Sequence, residues 1–421
     1  MPTLIEATPS TESSTKTCRI ILLGAGTVGG ELARIIAELA DLSDASPRFE
    51  VVQALVRESG KARVGIPSER LVDDPNELRF DDADLVIEAL GGPEPARTLT
   101  LCALNAGIPV ITANKTLIAT HGDELLAAAE RNNVALRFEA AVGAATPCVR
   151  VLRETLRGVT VNRIFGVLNG TSHYVLNSVT RHGRSLLEAV ALAQKAGFAE
   201  ADPSADLDGH DAAQKLAILC WCASGSLLDP TAIQRVELPA LSQETVLAAG
   251  LVGFAVKPLA SLSWNEDGEA ESWIAPAAVP GDTPLAATGG VDAAVVIQTK
   301  RAGTIFLSAQ GAGAGPTASA LFDDLEEVAQ HREFEAPAGN PARIELGGAD
   351  LPREWVIHAP AEAELTVPGV VEHIVEHGGE VRQFRTIDLG GWVVHVAGIR
   401  YSPRFTEPLV EQGACVLEVV R

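Results

Sequence analysis

The run Gly24-Ala25-Gly26-Thr27-Val28-Gly29 constrains this chain more than any other feature, because of what stands on either side of it. It follows a short β-rich stretch, Cys18-Arg19-Ile20-Ile21-Leu22-Leu23, and leads into apolar residues at helical spacing, Leu32, Ile35, Ile36 and Leu39. That is strand, glycine turn, helix. In the dinucleotide fingerprint the first glycine permits a tight turn, the second lets a pyrophosphate approach the backbone, and the third lets helix and strand pack closely. The pyrophosphate then rests on the helix N-terminus, where free amides and the helix dipole favour an anion. The competing reading is a purely structural turn. On the first reading Gly24, Ala25, Gly26, Thr27, Val28 and Gly29 are cofactor-binding positions.

The strand expected over 49–56 ends at Arg57, with Lys61 and Arg63 close behind, and not at the acidic residue that would bind a free ribose hydroxyl. Basic groups there favour a 2′-phosphate, so NADP is the preferred cofactor; Glu58 keeps NAD open, and an exposed cationic loop with no cofactor role is the competing reading. Further strands are expected at 84–90, 109–112 and 134–138, with helices near 95–106 and 121–131 between them. Strands alternating with helices imply an α/β fold with a doubly wound sheet, a Rossmann domain. Ligands bind such sheets at the carboxyl ends of the strands. Two of those ends carry Gly91-Gly92 and Ala113-Asn114-Lys115. Lys115 either reaches the nicotinamide or the substrate carbonyl, or simply starts a surface helix.

A chain of 421 residues with 47% hydrophobic content can bury more than one core. Its net charge of -22 argues against a nucleic-acid surface, which needs clustered Lys and Arg, and fits a small-molecule ligand. The cysteines (Cys18, Cys102, Cys148, Cys220, Cys222, Cys415) form neither CxxC pairs nor His-flanked sets, so reduced thiols are expected and a zinc site is not. The first seventeen residues have no basic start and no apolar centre, and read as a loose tail, not a secretory signal. No run of about twenty apolar residues is long enough to span a membrane. These features together read as a cytoplasmic protein.

The densest polar segment is 197–215, where Glu200, Asp202, Asp206, Asp208 and Asp211 precede Lys215 and an apolar helix. Such charge is costly to order beside hydrophobic segments unless it meets partners or a polar ligand. Asp211 lies one turn before Lys215, an order that favours an ion pair.

With these motifs in place the chain resembles homoserine dehydrogenase. The resemblance rests on GAGTVG at 24–29, TANK at 112–115, EAAVGAATP at 139–147, GVLNGTSHYVL at 166–176, GFAEADPSADLDGHDAAQK at 197–215 and GAGAGPTASA at 311–320. It implies reversible, NAD(P)H-dependent reduction of L-aspartate 4-semialdehyde to L-homoserine, on the route to threonine and methionine. Residue by residue, it implies that Glu200 holds the substrate amino group, Thr171 contacts the substrate and Asp206 orients the substrate hydroxyl. Lys215 becomes the proton donor, with Lys115 between cofactor and substrate and Asp211 holding Lys215 in place within the substrate-binding set. It further implies a monovalent cation such as sodium at Glu139, Val142, Ala144 and Thr146, bound largely through backbone carbonyls. Ala145 stands where the family usually has Gly, and Ser172-His173 where an Asn is common; His173 is read as packed core. The resemblance also implies a homodimer or larger homo-oligomer.

The segment 151–330 reads as an α+β substrate and dimerisation domain after a dinucleotide-binding domain at 18–150, with 320–330 packing back on the latter. A Pro- and Gly-punctuated linker over 331–352 then precedes a small domain at 353–421. Its expected β-α-β-β-α-β order is ferredoxin-like and resembles an ACT regulatory domain. Thr366-Val367-Pro368-Gly369 replaces the usual Asp-x-Pro-Gly, which leaves an effector role and a structural or oligomerising role both open. Two alternatives stand beside the dehydrogenase reading: the same chemistry on another small amino-acid aldehyde, or a non-catalytic nucleotide and amino-acid sensor. Loss of Lys115 or Lys215 would favour the sensor, and both are present.

Overall fold

The computed structural model describes residues 17–41, 48–264, 270–331, 333, 352–387, 391–400 and 403–420. The tail expected over 1–17 and the linker expected over 331–352 lie almost wholly outside these residues.

Strand β1 (Cys18–Leu23) is apolar and buried along nearly its whole length, which demands a sheet covered on both faces. It is followed by α1 (Thr27–Asp41), β2 (Phe49–Leu55), β3 (Leu71–Val72), β4 (Leu85–Glu88), α2 (Ala96–Asn105), β5 (Val110–Thr112), α3 (Lys115–Arg131) and β6 (Leu136–Arg137). The six strands are parallel in the order β3-β2-β1-β4-β5-β6, the doubly wound arrangement. The helix expected to begin at 121 begins at Lys115. Asn114 is its N-cap, accepting a bond from the Leu117 amide at 3.0 Å, and the His121-Gly122 pair that looks like a break is carried inside the helix.

After the short α4 (Cys148–Arg150) come β7 (Val161–Val167), α5 (Gly170–His182), α6 (Leu186–Lys195), α7 (Ser204–Leu207), α8 (His210–Ser224), β8 (Gln234–Arg235) and α9 (Gln243–Leu251). Then follow β9 (Phe254–Trp264), β10 (Ala270–Pro280), α10 (Pro284–Ala287), β11 (Asp292–Thr299), β12 (Gly303–Gln310) and α11 (Ala314–Gln330). The second sheet, β12-β11-β7-β9-β10-β8, is mixed: every pair is antiparallel except β10 with β8. Helix α8 is buried on nearly all sides and shares one hydrophobic core with α3 and β6 of the first sheet. Trp221 of α8 stacks on Phe138 at 5.5 Å, and a Cβ on Gly122 of α3 would lie 2.9 Å from the Trp221 ring. The glycine therefore sets how closely α3 and α8 approach.

Helix α11 returns to the first sheet. Ala318, Leu321, Leu325 and Val328 share a core with Leu32 and Ile36 of α1, and Phe322 meets Phe49 edge-on at 5.8 Å.

The last elements are β13 (Pro352–Ala359), α12 (Val367–Glu376), β14 (Glu380–Thr386), β15 (Trp392–Arg400), α13 (Pro403–Glu411) and β16 (Cys415–Glu418). They form an antiparallel sheet in the order β14-β15-β13-β16. It docks on the second sheet through a parallel bridge between Ala278 and Val419, and Val420 is buried among Phe165, Val167 and Leu259. Arg353 pairs with Glu271 across this junction and with Glu418.

Candidate active site

The glycine turn has the steric logic of a nucleotide cradle. Gly24 has φ +96°, and a Cβ there would lie 2.6 Å from the Ala89 carbonyl oxygen. A Cβ on Gly29 would sit 1.9 Å from the Gly24 carbonyl oxygen, so this residue lets α1 pack onto the turn. A Cβ on Gly26 would meet nothing within 4 Å, which leaves open space where the fingerprint places a pyrophosphate. Ala25 closes the turn, and Thr27 and Val28 open α1. The residues fit a dinucleotide. A cavity of about 270 Å³ is lined by Gly24, Ala25, Gly26, Arg57, Arg63 and Leu90. Arg57 and Arg63 thus both reach the cavity, whereas Lys61 is not among its lining residues. The loop that carries them is tied down by Ser59, whose hydroxyl donates to Asp73 at 2.6 Å.

At the carboxyl end of β4, Glu88 is fully buried, a residue that sequence reasoning passed over. Its carboxyl accepts from the Leu90 amide at 2.8 Å, the Asn114 side-chain amide at 3.3 Å and the Thr112 hydroxyl. Burial, ahead of these bonds, pushes its pKa up. An acid closing the apolar run Leu85-Val86-Ile87 was the signal available in the sequence. Asn114 also donates to the Gly92 carbonyl at 2.6 Å. The Asn114 cap that begins α3 is thereby fixed, and Lys115 with it.

Lys115 and Lys215 come from different domains and meet at one carboxylate. Lys115 Nζ lies 3.0 Å from Asp211 Oδ1, and Lys215 Nζ lies 2.7 Å from Asp211 Oδ2, the i,i+4 pair expected on α8. Burial alone would raise the pKa of Asp211, but the two ammonium groups more than offset it and hold the carboxyl well below its ordinary value. Asp211 in turn, against the opposing effect of burial, holds Lys115 above the ordinary lysine value, with smaller contributions from Asp206 and Glu200. Lys215 also donates to the Leu168 carbonyl at 2.8 Å. Two of its three N–H groups are thus committed.

Asp206, Asp211, Lys215, Asn169 and Thr171 line a cavity of about 350 Å³, closed on its far side by Gln310–Gly313 at the start of α11. Thr171 is pinned there, its hydroxyl donating to the Phe198 carbonyl at 2.7 Å. Glu200 is not among the lining residues. It is exposed on the loop after Gly197, where Gln194 binds its backbone carbonyl at 3.1 Å, and it reaches the cluster only as a charge felt at Lys115. Asn169, unremarked in the sequence beyond its place in the Asn-Gly-Thr triplet, donates to both Asp206 (2.7 Å) and Asp211 (2.9 Å).

The loop Glu139–Thr146 lies between β6 and α4. Glu139 points its carboxyl at the start of α4, accepting from the Val149 and Arg150 amides at 3.1 and 2.6 Å. Burial, and then the neighbouring Asp324, raise its pKa to about 8. Of the expected cation carbonyls, Glu139 O accepts from Val142 N at 3.2 Å, Thr146 O from Cys148 N at 2.7 Å, and Val142 O faces the Cys148 thiol at 3.5 Å. Thr146 Oγ1 is buried without a hydrogen-bond partner among the described residues, the orphaned oxygen that a cation site would use. The left-handed residues of this loop are Gly143 (φ +73°) and Ala144 (φ +47°), while Ala145, which stands where the family usually has Gly, is not among them. Among the described residues no group of three or more His, Cys, Asp or Glu side chains could hold a metal, and no helix is long and apolar enough to cross a membrane.

His173 is buried as packed core. Its Nδ1 lies 2.9 Å from the Asp292 carbonyl and its Nε2 lies 3.2 Å from Lys257 Nζ, while Lys257 donates to the Thr288 carbonyl at 2.6 Å. Burial, then the Lys257 charge, lower its pKa to about 4.

Known proteins with these features agree on one family. The model of the homoserine dehydrogenase NAD-binding domain matches residues 24–139, and the homoserine dehydrogenase model matches residues 147–325. A homoserine dehydrogenase from Mycobacterium bovis is 39% identical over 393 residues, covering 88% of each chain. One from Corynebacterium glutamicum is 37% identical, covering 74% of this chain and 72% of its own. The crystal structure of a homoserine dehydrogenase from Thiobacillus denitrificans superposes with a TM-score of 0.84 at 27% identity, over 96% of this chain and 98% of its own. A hyperthermophilic archaeal homoserine dehydrogenase in complex with NADPH gives 0.63 at 29% identity, over 76% of this chain and all of its own. A two-lysine site between a doubly wound nucleotide domain and the segment that follows it, with this extent of likeness along the chain, places the chain in the homoserine dehydrogenase family.

Proposed function

We propose that the chain interconverts L-homoserine and L-aspartate 4-semialdehyde at the Lys115–Asp211–Lys215 cluster, with Lys215 as the proton donor and acceptor. The observation that carries this is the third N–H of Lys215. With two committed to Asp211 and Leu168, the remaining one belongs to a side chain that lines the cavity. The nicotinamide, when bound, takes or returns the hydride at the substrate carbon. As the aldehyde is reduced, negative charge grows on its oxygen; the Lys215 ammonium stabilises that charge and hands over a proton, and in oxidation the proton returns. Lys115, kept cationic by Asp211, supplies a second positive charge from the nucleotide side. Asp206 orients the hydroxyl end and Thr171 bounds the pocket, while the assignment of Glu200 to the substrate ammonium rests on the family motif alone, since Glu200 stands outside the cavity lining.

NADP is the preferred cofactor, on the strength of Arg57 and Arg63 beside the glycine turn, where a 2′-phosphate finds two guanidinium groups. A sodium ion at the carbonyls of Glu139, Val142, Ala144 and Thr146 would use the orphaned Thr146 hydroxyl. The last four-stranded domain is ACT-like by its element order, and the chain assembles as a homo-oligomer in the cytoplasm.

Homoserine oxidation, followed by nicotinamide absorbance, tests the assignment. Lys215→Ala should lower kcat by about 10²- to 10⁴-fold while nucleotide binding is kept. Wild-type kcat in Lys215→Ala would refute it.

A further inference from the structure

Asn169 stands at the centre of the site with every hydrogen-bonding capacity of its side chain in use. Its Oδ1 accepts from the Ser172 amide at 2.8 Å and the Ser172 hydroxyl at 3.0 Å, which caps α5. Its Nδ2 spends both hydrogens on carboxylates, Asp206 Oδ1 at 2.7 Å and Asp211 Oδ2 at 2.9 Å. The orientation of the amide is fixed by this network. Exchanging O and N would set an oxygen against two carboxylates and an NH₂ against a backbone N–H.

Two carboxylates on neighbouring helices repel, and a neutral double donor between them is the group that can hold both. Asp211 Oδ2 is also the atom that receives Lys215, and Oδ1 the one that faces Lys115. Any displacement of Asp211 therefore moves both ammonium groups. We propose that Asn169 is a positioning residue of the reaction: its amide holds Asp206 and Asp211 at a fixed separation and, through Asp211, aims Lys115 and Lys215 into the pocket. The inference rests on the assignment of Lys215 as the proton-transfer group. It gives the Asn-Gly-Thr triplet a task that a helix cap alone does not.

Asn169→Asp separates the two tasks. Aspartate caps a helix as well as asparagine does, so α5 keeps its start. The substitution removes both N–H donors and adds a third carboxylate facing Asp206 of α7 and Asp211 of α8, with Lys115 of α3, Lys215 of α8 and Glu200 of the loop as the other charges in reach. The expected result is a protein that still folds and binds nucleotide, with a kcat lower by roughly 10²-fold, as for a displacement of about 1 Å in a reacting geometry. The acid limb of the rate profile should also move to higher pH, because a third carboxylate disfavours the ionised forms of its neighbours. Asn169→Ser, which caps but is too short to reach either aspartate, should lose kcat in the same way while still folding and binding nucleotide. It decides the matter alone if Asn169→Asp does not fold. Wild-type kcat and pH profile in either folded variant would overturn the proposal, as would a loss of kcat that is matched by an equal loss of nucleotide binding. Full activity in Lys215→Ala would instead remove the assignment on which the proposal rests.

Discussion

Asp211 gathers Lys115 from α3, Lys215 from its own helix and Asn169 from the cap of α5. Only one of these contacts was legible in the sequence. The pairing with Lys215 follows from i,i+4 spacing. The other two depend on how α3 and α5 pack against α8, which no local pattern encodes. Glu200 shows the converse: its motif was clear, yet the loop leaves it exposed and outside the cavity lining. His173 carries a separate consequence for stability. Its folded pKa is lowered to about 4 from 6.5, so the neutral ring's contribution is present above the ordinary value and is lost as pH falls from 6.5 through about 4. His173→Gln preserves one donor for the Asp292 carbonyl and one acceptor for Lys257. Thermal unfolding between pH 7.5 and 4.5 should show wild type losing on the order of 2 kcal/mol more than this variant. Parallel curves would contradict the assignment of a neutral ring.

At the level of elements, the strands of the first sheet were readable because buried parallel strands are short apolar runs ending in glycine or polar turns. The start of α3 was not. Its cap, Asn114, is held by buried Glu88 and the Gly92 carbonyl, contacts that form only once β4 and β5 are adjacent. The glycine turn predicts a contrast. Gly29→Ala places a Cβ against the Gly24 carbonyl and should push α1 off the turn, lowering the melting temperature and abolishing nucleotide binding together. Gly26→Ala meets no protein atom, so the fold should stay at wild-type stability while a bound pyrophosphate is crowded. Its nucleotide Kd should rise roughly tenfold or more, about 1.4 kcal/mol. Calorimetric titration with NADP, alongside thermal unfolding, distinguishes the two; equal nucleotide affinity in Gly26→Ala and wild type would be inconsistent with a pyrophosphate over that residue.

Across the whole molecule, the Lys115–Asp211–Lys215 cluster lies where the first and second sheets share one core. Helices α3 and α8 meet through Gly122 and Trp221, Thr116 donates to Gln214 at 3.1 Å, and Lys115 reaches Asp211 along the same seam. Helix α11 begins at the pocket and then crosses to α1 and the start of β2, where Glu326 pairs with Arg48 at 2.7 Å. The sequence conveyed separate domains but not this shared core, because both partners of each contact look like ordinary amphipathic or buried helix residues when taken alone. In the proposed reaction Asp211 joins lysines from two domains into one functional unit. A double-mutant cycle on homoserine oxidation, with Lys115→Met, Asp211→Asn and the pair, measures that directly. A coupling of about 1–3 kcal/mol is expected in kcat/KM, so that the double variant is little worse than the poorer single one. Strictly additive losses would show that the two residues act independently, and would contradict it.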